Sequence, residues 1–105
     1  MTKTNQLHPG RIIAAQLGVA LRLLGAKDLL LTEDGEGGLD FRVGKNPKRV
    51  THISVTLTAS DTYDLRFVRY SPSKRTTLTL ATYDGIYADM MKDLIADETG
   101  LYTSF

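Results

Sequence analysis

Between Pro9 and Leu24 the apolar residues fall at Ile13, Leu17, Leu21 and Leu24, with Ile12, Val19 and Leu23 widening the stripe. Steps of four, four and three place these side chains on one side of a 3.6-residue repeat, so the spacing predicts an amphipathic helix. Pro9 suits a first turn, where its missing N–H would be unpaired anyway, and Asn5 or His8 stands ahead of it as cap. Gly18 costs about 1 kcal/mol relative to alanine inside a helix and marks the place for a bend or a break. Gly25 ends the run.

From there the period changes to two. Five short segments, 28–32, 39–43, 50–58, 63–68 and 76–82, carry strand character. Leu39, Phe41 and Val43 alternate with Asp40 and Arg42, and Ile53, Val55 and Leu57 with His52, Ser54 and Thr56. Tyr63, Leu65 and Phe67 alternate with Asp64, Arg66 and Val68, and Leu78 and Leu80 with Thr77 and Thr79. The stretches between them, DGEGG (34–38), GKNPK (44–48), SDT (60–62) and SPSK (71–74), have turn chemistry. One apolar face at period two predicts an antiparallel sheet covered on one side. A final helix is predicted with Asp84 as N-cap, a buried stripe of Ile86, Met90 and Leu94 flanked by Tyr87, Met91 and Ile95, and Gly100 as its stop. Leu101 and Tyr102 are expected to pack back on that helix, and Phe105 to pack there or to meet a partner. The predicted fold class is therefore α+β: an N-terminal helix, a five-stranded antiparallel meander and a C-terminal helix, with both helices on one face of the sheet. Residues 1–105 are expected to form a single domain, with 1–8 flexible.

Composition narrows the chemistry. The 105 residues suffice for one core, and 42% of them are hydrophobic. With no cysteine, disulfides, thiol nucleophiles and thiolate metal sites are excluded together. Thirteen basic and twelve acidic side chains leave a formal charge of +1, so binding to nucleic acid or to a membrane surface would need a local patch. MTKTNQLHPG lacks the apolar run of a signal peptide, and no stretch reaches the roughly 18 apolar residues that span a bilayer. A soluble, cytoplasmic protein that does not engage membranes is expected.

Catalytic patterns are sparse. His8 and His52 are the only histidines, and Ser71, Ser73 and Ser104 have no activating base nearby in sequence. The DGEGG cluster lacks the lysine and the strand-to-helix setting of a phosphate loop. The reading is a non-enzyme with no cofactor and no metal.

Two charged surfaces remain. Asp89, Asp93 and Asp97 recur every four residues along the last helix, with Lys92 beside them and Glu98 close by. Like charges at that spacing repel by about 0.2–0.5 kcal/mol per pair, so the ridge either meets a basic partner or is plain solvated surface. In a meander the turns at 44–49 and 70–75 come to the same end of the sheet, gathering Lys45, Lys48, Arg49, Arg69, Lys74 and Arg75. Arg66 lies on the open face. This basic edge is a candidate phosphate-contacting patch. The open face itself is expected to carry cross-strand ion pairs and no stacking aromatic, unlike an RNA-reading sheet, although such a polar face can also grip a partner.

Four segments, LGAKDLLL (24–31), GLDFRV (38–43), ISVTLTASDTYDLRFVRY (53–70) and the ending YDGIYADMMKDLIADETGLYTSF (83–105), carry recurring motifs. These are GAK, I-x-V-x-L-x-x-x-D-x-Y-D-x-x-F, G-x-Y-A-D-M and T-G-L-Y. In these the chain resembles a family of small proteins from phages, plasmids and other mobile elements, and the resemblance brings no assigned activity. It implies an interaction protein that occupies a host protein's surface, including a component of host defence, through Asp89, Asp93, Asp97 and Lys92 or through the polar sheet face. The alternative is a nucleic-acid-binding accessory protein working through the basic edge. A homodimer closed through an exposed strand edge is compatible with either.

Overall fold

The computed structural model describes residues 8–103. The expectations placed on residues 1–7, on Ser104 and on Phe105 lie outside them. Helix α1 (Pro9–Leu17) starts as the sequence suggests, with Pro9 in its first turn and His8 Nδ1 accepting the Gly10 N–H at 2.9 Å. The predicted helix to Leu24 is broken, however. Gly18 takes φ +53°, a conformation that a residue with a Cβ avoids, and a five-residue helix, α2 (Val19–Leu23), follows. The break turns the apolar stripe by one position. Ile13, Leu17, Ala20 and Leu24 are buried, and Leu21 only partly.

Five strands follow, β1 (Lys27–Thr32), β2 (Gly38–Arg42), β3 (His52–Leu57), β4 (Tyr63–Ser71) and β5 (Thr76–Ile86). All neighbours are antiparallel and the spatial order is the chain order, β1-β2-β3-β4-β5. The alternation predicted for β2, β3 and β4 holds. Leu39, Phe41, Ile53, Val55, Tyr63, Leu65 and Phe67 are buried on one face, where Ile13 and Leu17 of α1 and Met91 and Ile95 of α3 (Met91–Thr99) join them in one core. A fully buried side chain of this kind contributes about 1.5–3 kcal/mol, so this roofed face dominates stability.

The last third departs from expectation. Strand β5 continues to Ile86, which pairs with Tyr63, so Asp84 lies in a strand and caps no helix. The nine-residue β4 offers backbone partners along its whole length, and residues 83–86 take them. A 3-10 turn (Ala88–Met90) then leads into α3, which buries Met91 and Ile95 of the predicted stripe together with Thr99, while Ile86 and Leu94 pack only partly against the core. Tyr87 and Met90 are 61% and 49% exposed, and Leu94 is half-buried. Gly100 closes α3 in the left-handed conformation, as predicted. Leu101 packs against the core, but Tyr102 stands in solvent. Helix and sheet are also joined by the Tyr83 hydroxyl, which donates to Glu98 Oε2 at 2.6 Å. That hydrogen bond, then desolvation and the charges of Glu98 and Asp97, raise the Tyr83 phenol above its ordinary 10.0.

Helix α1 lies close against the sheet at Gly10. A Cβ there would collide with the Gly38 carbonyl oxygen and with the Leu31 side chain. Glycine to alanine in a helix usually stabilises by about 1 kcal/mol. Here Gly10→Ala is expected to do the opposite, lowering stability by about 1–3 kcal/mol, read from the midpoint of urea unfolding.

Candidate functional site

The loop from β2 to β3 is shaped by Asn46. Its Nδ2 donates to the Gly44 and Val50 carbonyls at 2.9 and 2.7 Å, and its Oδ1 accepts the Val50 N–H at 3.0 Å. The Arg49 N–H closes a turn onto the Asn46 carbonyl at 3.1 Å, and Arg49 takes φ +62°. Pro47 of this turn lies against Gly100 at the end of α3. The loop is thus held from within and from the helix layer.

Strand β4 joins it from the other side. Arg69 Nε donates to the Arg49 carbonyl at 3.2 Å. The Thr51 hydroxyl donates to the Val68 carbonyl at 3.2 Å and accepts the Tyr70 N–H at 2.8 Å. Between the two segments opens a cleft of about 690 Å³, within the usual range for ligand sites. Lys27, Arg42, Lys45, Arg49 and Arg69 line it, and no carboxylate does. Among the described residues no lysine or arginine pairs with a carboxylate, the one such contact being between His8 and Glu33 at 3.1 Å, so none of these five cations is neutralised by one.

Two of the five come from register rather than from the turns. Lys27 pairs directly with Arg42, which pairs in turn with His52. Like charges directly opposite each other destabilise a sheet. The pairing depends on a bulge at Asp28, whose φ is +55°. Continuing the register of Leu30 with Asp40 and Leu31 with Leu39 would have set Lys27 opposite Val43 on the core side.

The other cations of the predicted basic edge are near but apart. Lys48 is exposed in the same loop, and Lys74 and Arg75 in the turn between β4 and β5, and none of the three lines the cleft. Arg66 is on the open face, flanked across the strands by Ser54 and Thr82. It borders a second cleft of about 300 Å³ with Asp40, His52, Ser54, Val68 and Tyr70. The cross-strand ion pairs expected there do not form. Asp40 accepts from the Ser54 hydroxyl, and Asp64 accepts the Gly85 N–H at 3.1 Å. The expectation of no stacking aromatic is also corrected. Strand β4 reaches Ser71, three residues beyond the predicted end, and Tyr70 pairs with Thr77 on the open face, 42% exposed. A third cleft, bordered by Asp34, Asp64 and Asp84 and shared with Arg66, gathers three carboxylates toward the opposite end of that face.

The acidic ridge is less continuous than predicted. Asp89 belongs to the 3-10 turn, so only Asp93 and Asp97 share a face of α3. All three are exposed, Lys92 is half-buried, and Glu98 is engaged by Tyr83. Tyr87 and Met90 stand beside Asp89.

Sequence reasoning overlooked Lys27, Arg42 and Tyr70 as site residues, and the role of Asn46. The dipeptide Asn46-Pro47 was a legible turn signal for the last. Among the described residues no three histidine, aspartate or glutamate side chains gather as a metal-holding group, and no helix is long and apolar enough to cross a membrane. Comparison with family models, with curated proteins and with solved structures finds no match.

Arg49 spends its backbone in a conformation that costs a residue with a Cβ about 1–2 kcal/mol, while the hydrogen bonds it makes to Asn46 and Arg69 use its main-chain atoms. Arg49→Gly is therefore expected to leave the urea midpoint unchanged or to raise stability by up to about 1 kcal/mol.

Proposed function

We propose that this protein is a non-catalytic binding domain that takes the phosphate groups of a nucleic acid in the basic cleft. The observation that supports this reading is the convergence of Lys27, Arg42, Lys45, Arg49 and Arg69 around one cleft with no carboxylate in its lining. Assembling those charges opposes stability at Lys27 and Arg42 and at the left-handed Arg49, and a bound polyanion offsets that cost. With a net charge of only +1, attraction to phosphate is local and fixes where the chain docks. Lys48, Lys74 and Arg75, exposed at the same end, extend the track. The test is the salt dependence of binding to a fluorescent oligonucleotide. Affinity is expected to fall linearly on a log–log plot against salt, and Lys45→Gln combined with Arg49→Gly to reduce the slope by about 1–2. Absent or salt-independent binding removes the reading.

A second reading rests on exposed Tyr87 and Met90 beside Asp89, Asp93 and Asp97. Exposed aromatic and methionine side chains are enriched in protein-binding patches, with charge confined to the rim. With the resemblance to mobile-element proteins, this reading gives a small interaction domain in the host cytoplasm that occupies a basic host protein, a defence component included. Changing Asp89, Asp93 and Asp97 together to lysine is expected to abolish capture of that partner from nuclease-treated bacterial lysate while the circular dichroism spectrum stays native. Capture that survives the reversal assigns the ridge to plain solvated surface. Edge strand β1, with Leu29, Leu30 and Leu31 exposed, is compatible with a homodimer under either reading.

A further inference from the structure

We infer that the nucleic acid taken by the basic cleft is single-stranded, with an unpaired base stacked on Tyr70 in the adjoining cleft; the inference rests on the phosphate-binding reading above. Tyr70 is the residue that joins the two sites. It lines the cationic cleft, with Arg42, Arg49 and Arg69, and also the neighbouring cleft of about 300 Å³ on the open sheet face.

The ring belongs to a held position. The Tyr70 N–H donates to the Thr51 hydroxyl at 2.8 Å, and its strand partner is Thr77, so its backbone is fixed on both sides. Yet the residue is 42% exposed, next to cations that no ion pair neutralises. Base stacking on such a ring needs a free π-face. A base inside a duplex has both faces occupied by its neighbours, whereas an unpaired base can turn one to the protein.

The second cleft suits a base in its chemistry as well. Val68 and Ile53 supply apolar lining, and Arg66, Ser54, Asp40 and His52 supply donors and acceptors. Arg66 has no ion-pair partner among the described residues, so its guanidinium is available to a carbonyl of the base. Phosphates flanking that base then fall toward Arg42, Arg49 and Arg69. A phosphate site and a base site sharing one tyrosine have the layout of a nucleotide within a strand, and neither cleft alone has it.

The probes are fluorescein-labelled oligodeoxythymidylate and oligouridylate, an abasic deoxyoligonucleotide with as many phosphates, and a DNA duplex of the same length. The two single strands distinguish DNA from RNA. The protein is expected to bind base-bearing single strands more tightly than the abasic strand or the duplex. Tyr70→Ala is expected to weaken single-strand binding by about 5- to 150-fold, the range for losing one stacked base, without changing the salt slope or abasic binding. Tyr70→Phe, which keeps the ring, should bind as the wild type does. The abasic comparison uses the unmodified protein and so does not depend on how any variant folds. Equal, salt-dependent affinity for abasic and base-bearing strands overturns the inference and leaves the phosphate reading standing, as does a preference for duplex. If no oligonucleotide binds, the phosphate reading fails and this inference fails with it.

Discussion

Strands β2, β3 and β4 present most of their apolar side chains to one face, and that face must be roofed. This constraint arranges the rest of the molecule. The roof consists of α1 with its short continuation α2, and of α3 from the far end of the chain. It covers Leu39, Phe41, Ile53, Val55, Leu65 and Phe67 but not the whole sheet. Leu78, paired with Arg69 near the tip of the β4–β5 hairpin, is 56% exposed because the strands outrun the helices there. The uncovered end is the end with the cationic cleft.

Charge is distributed against local stability at that end. Lys27 faces Arg42 across the ladder, and Arg49 and Arg75 both hold left-handed backbone that glycine or asparagine adopts more readily. Strain of this kind concentrates where a surface serves something besides folding. Asn46 and Thr51 supply the compensation, with side-chain hydrogen bonds where a regular ladder would have had main-chain ones. Toward the opposite end of the open face the three carboxylates of Asp34, Asp64 and Asp84 gather in a cleft shared with Arg66.

Much of the fold was legible in the sequence, and the reason is periodicity. Leu39-Phe41-Val43 and Ile53-Val55-Leu57 alternate without interruption, so strand, face and neighbour followed from counting. Bulges defeat such counting, because one extra residue moves everything beyond it to the other face. Lys27 escaped notice through the bulge at Asp28. In β5 the irregularity opposite Phe67 and Val68 shifts the register so that Ala81, not Leu80, pairs with Phe67. The last helix was misread for a related reason. Ile86, Met90 and Leu94 fit a helical period as well as Met91, Ile95 and Thr99 do, and which of these rows is buried depends on where β5 stops pairing. That stop is set by the length of β4, a tertiary fact. Tyr70 was missed in the same way, since the strand was ended two residues short of it.

The chain-order arrangement of the strands also determines how the molecule assembles. Every ladder joins segments adjacent in sequence, so each hairpin closes a short loop and can form independently of the others. Only the roof demands long-range closure, because Ile13 and Ile95 meet in one core from opposite ends of the chain. A nascent chain emerging N-terminus first would therefore build its sheet strand by strand with part of the apolar face bare. It would become fully covered only when α3, the last of the described elements, arrives.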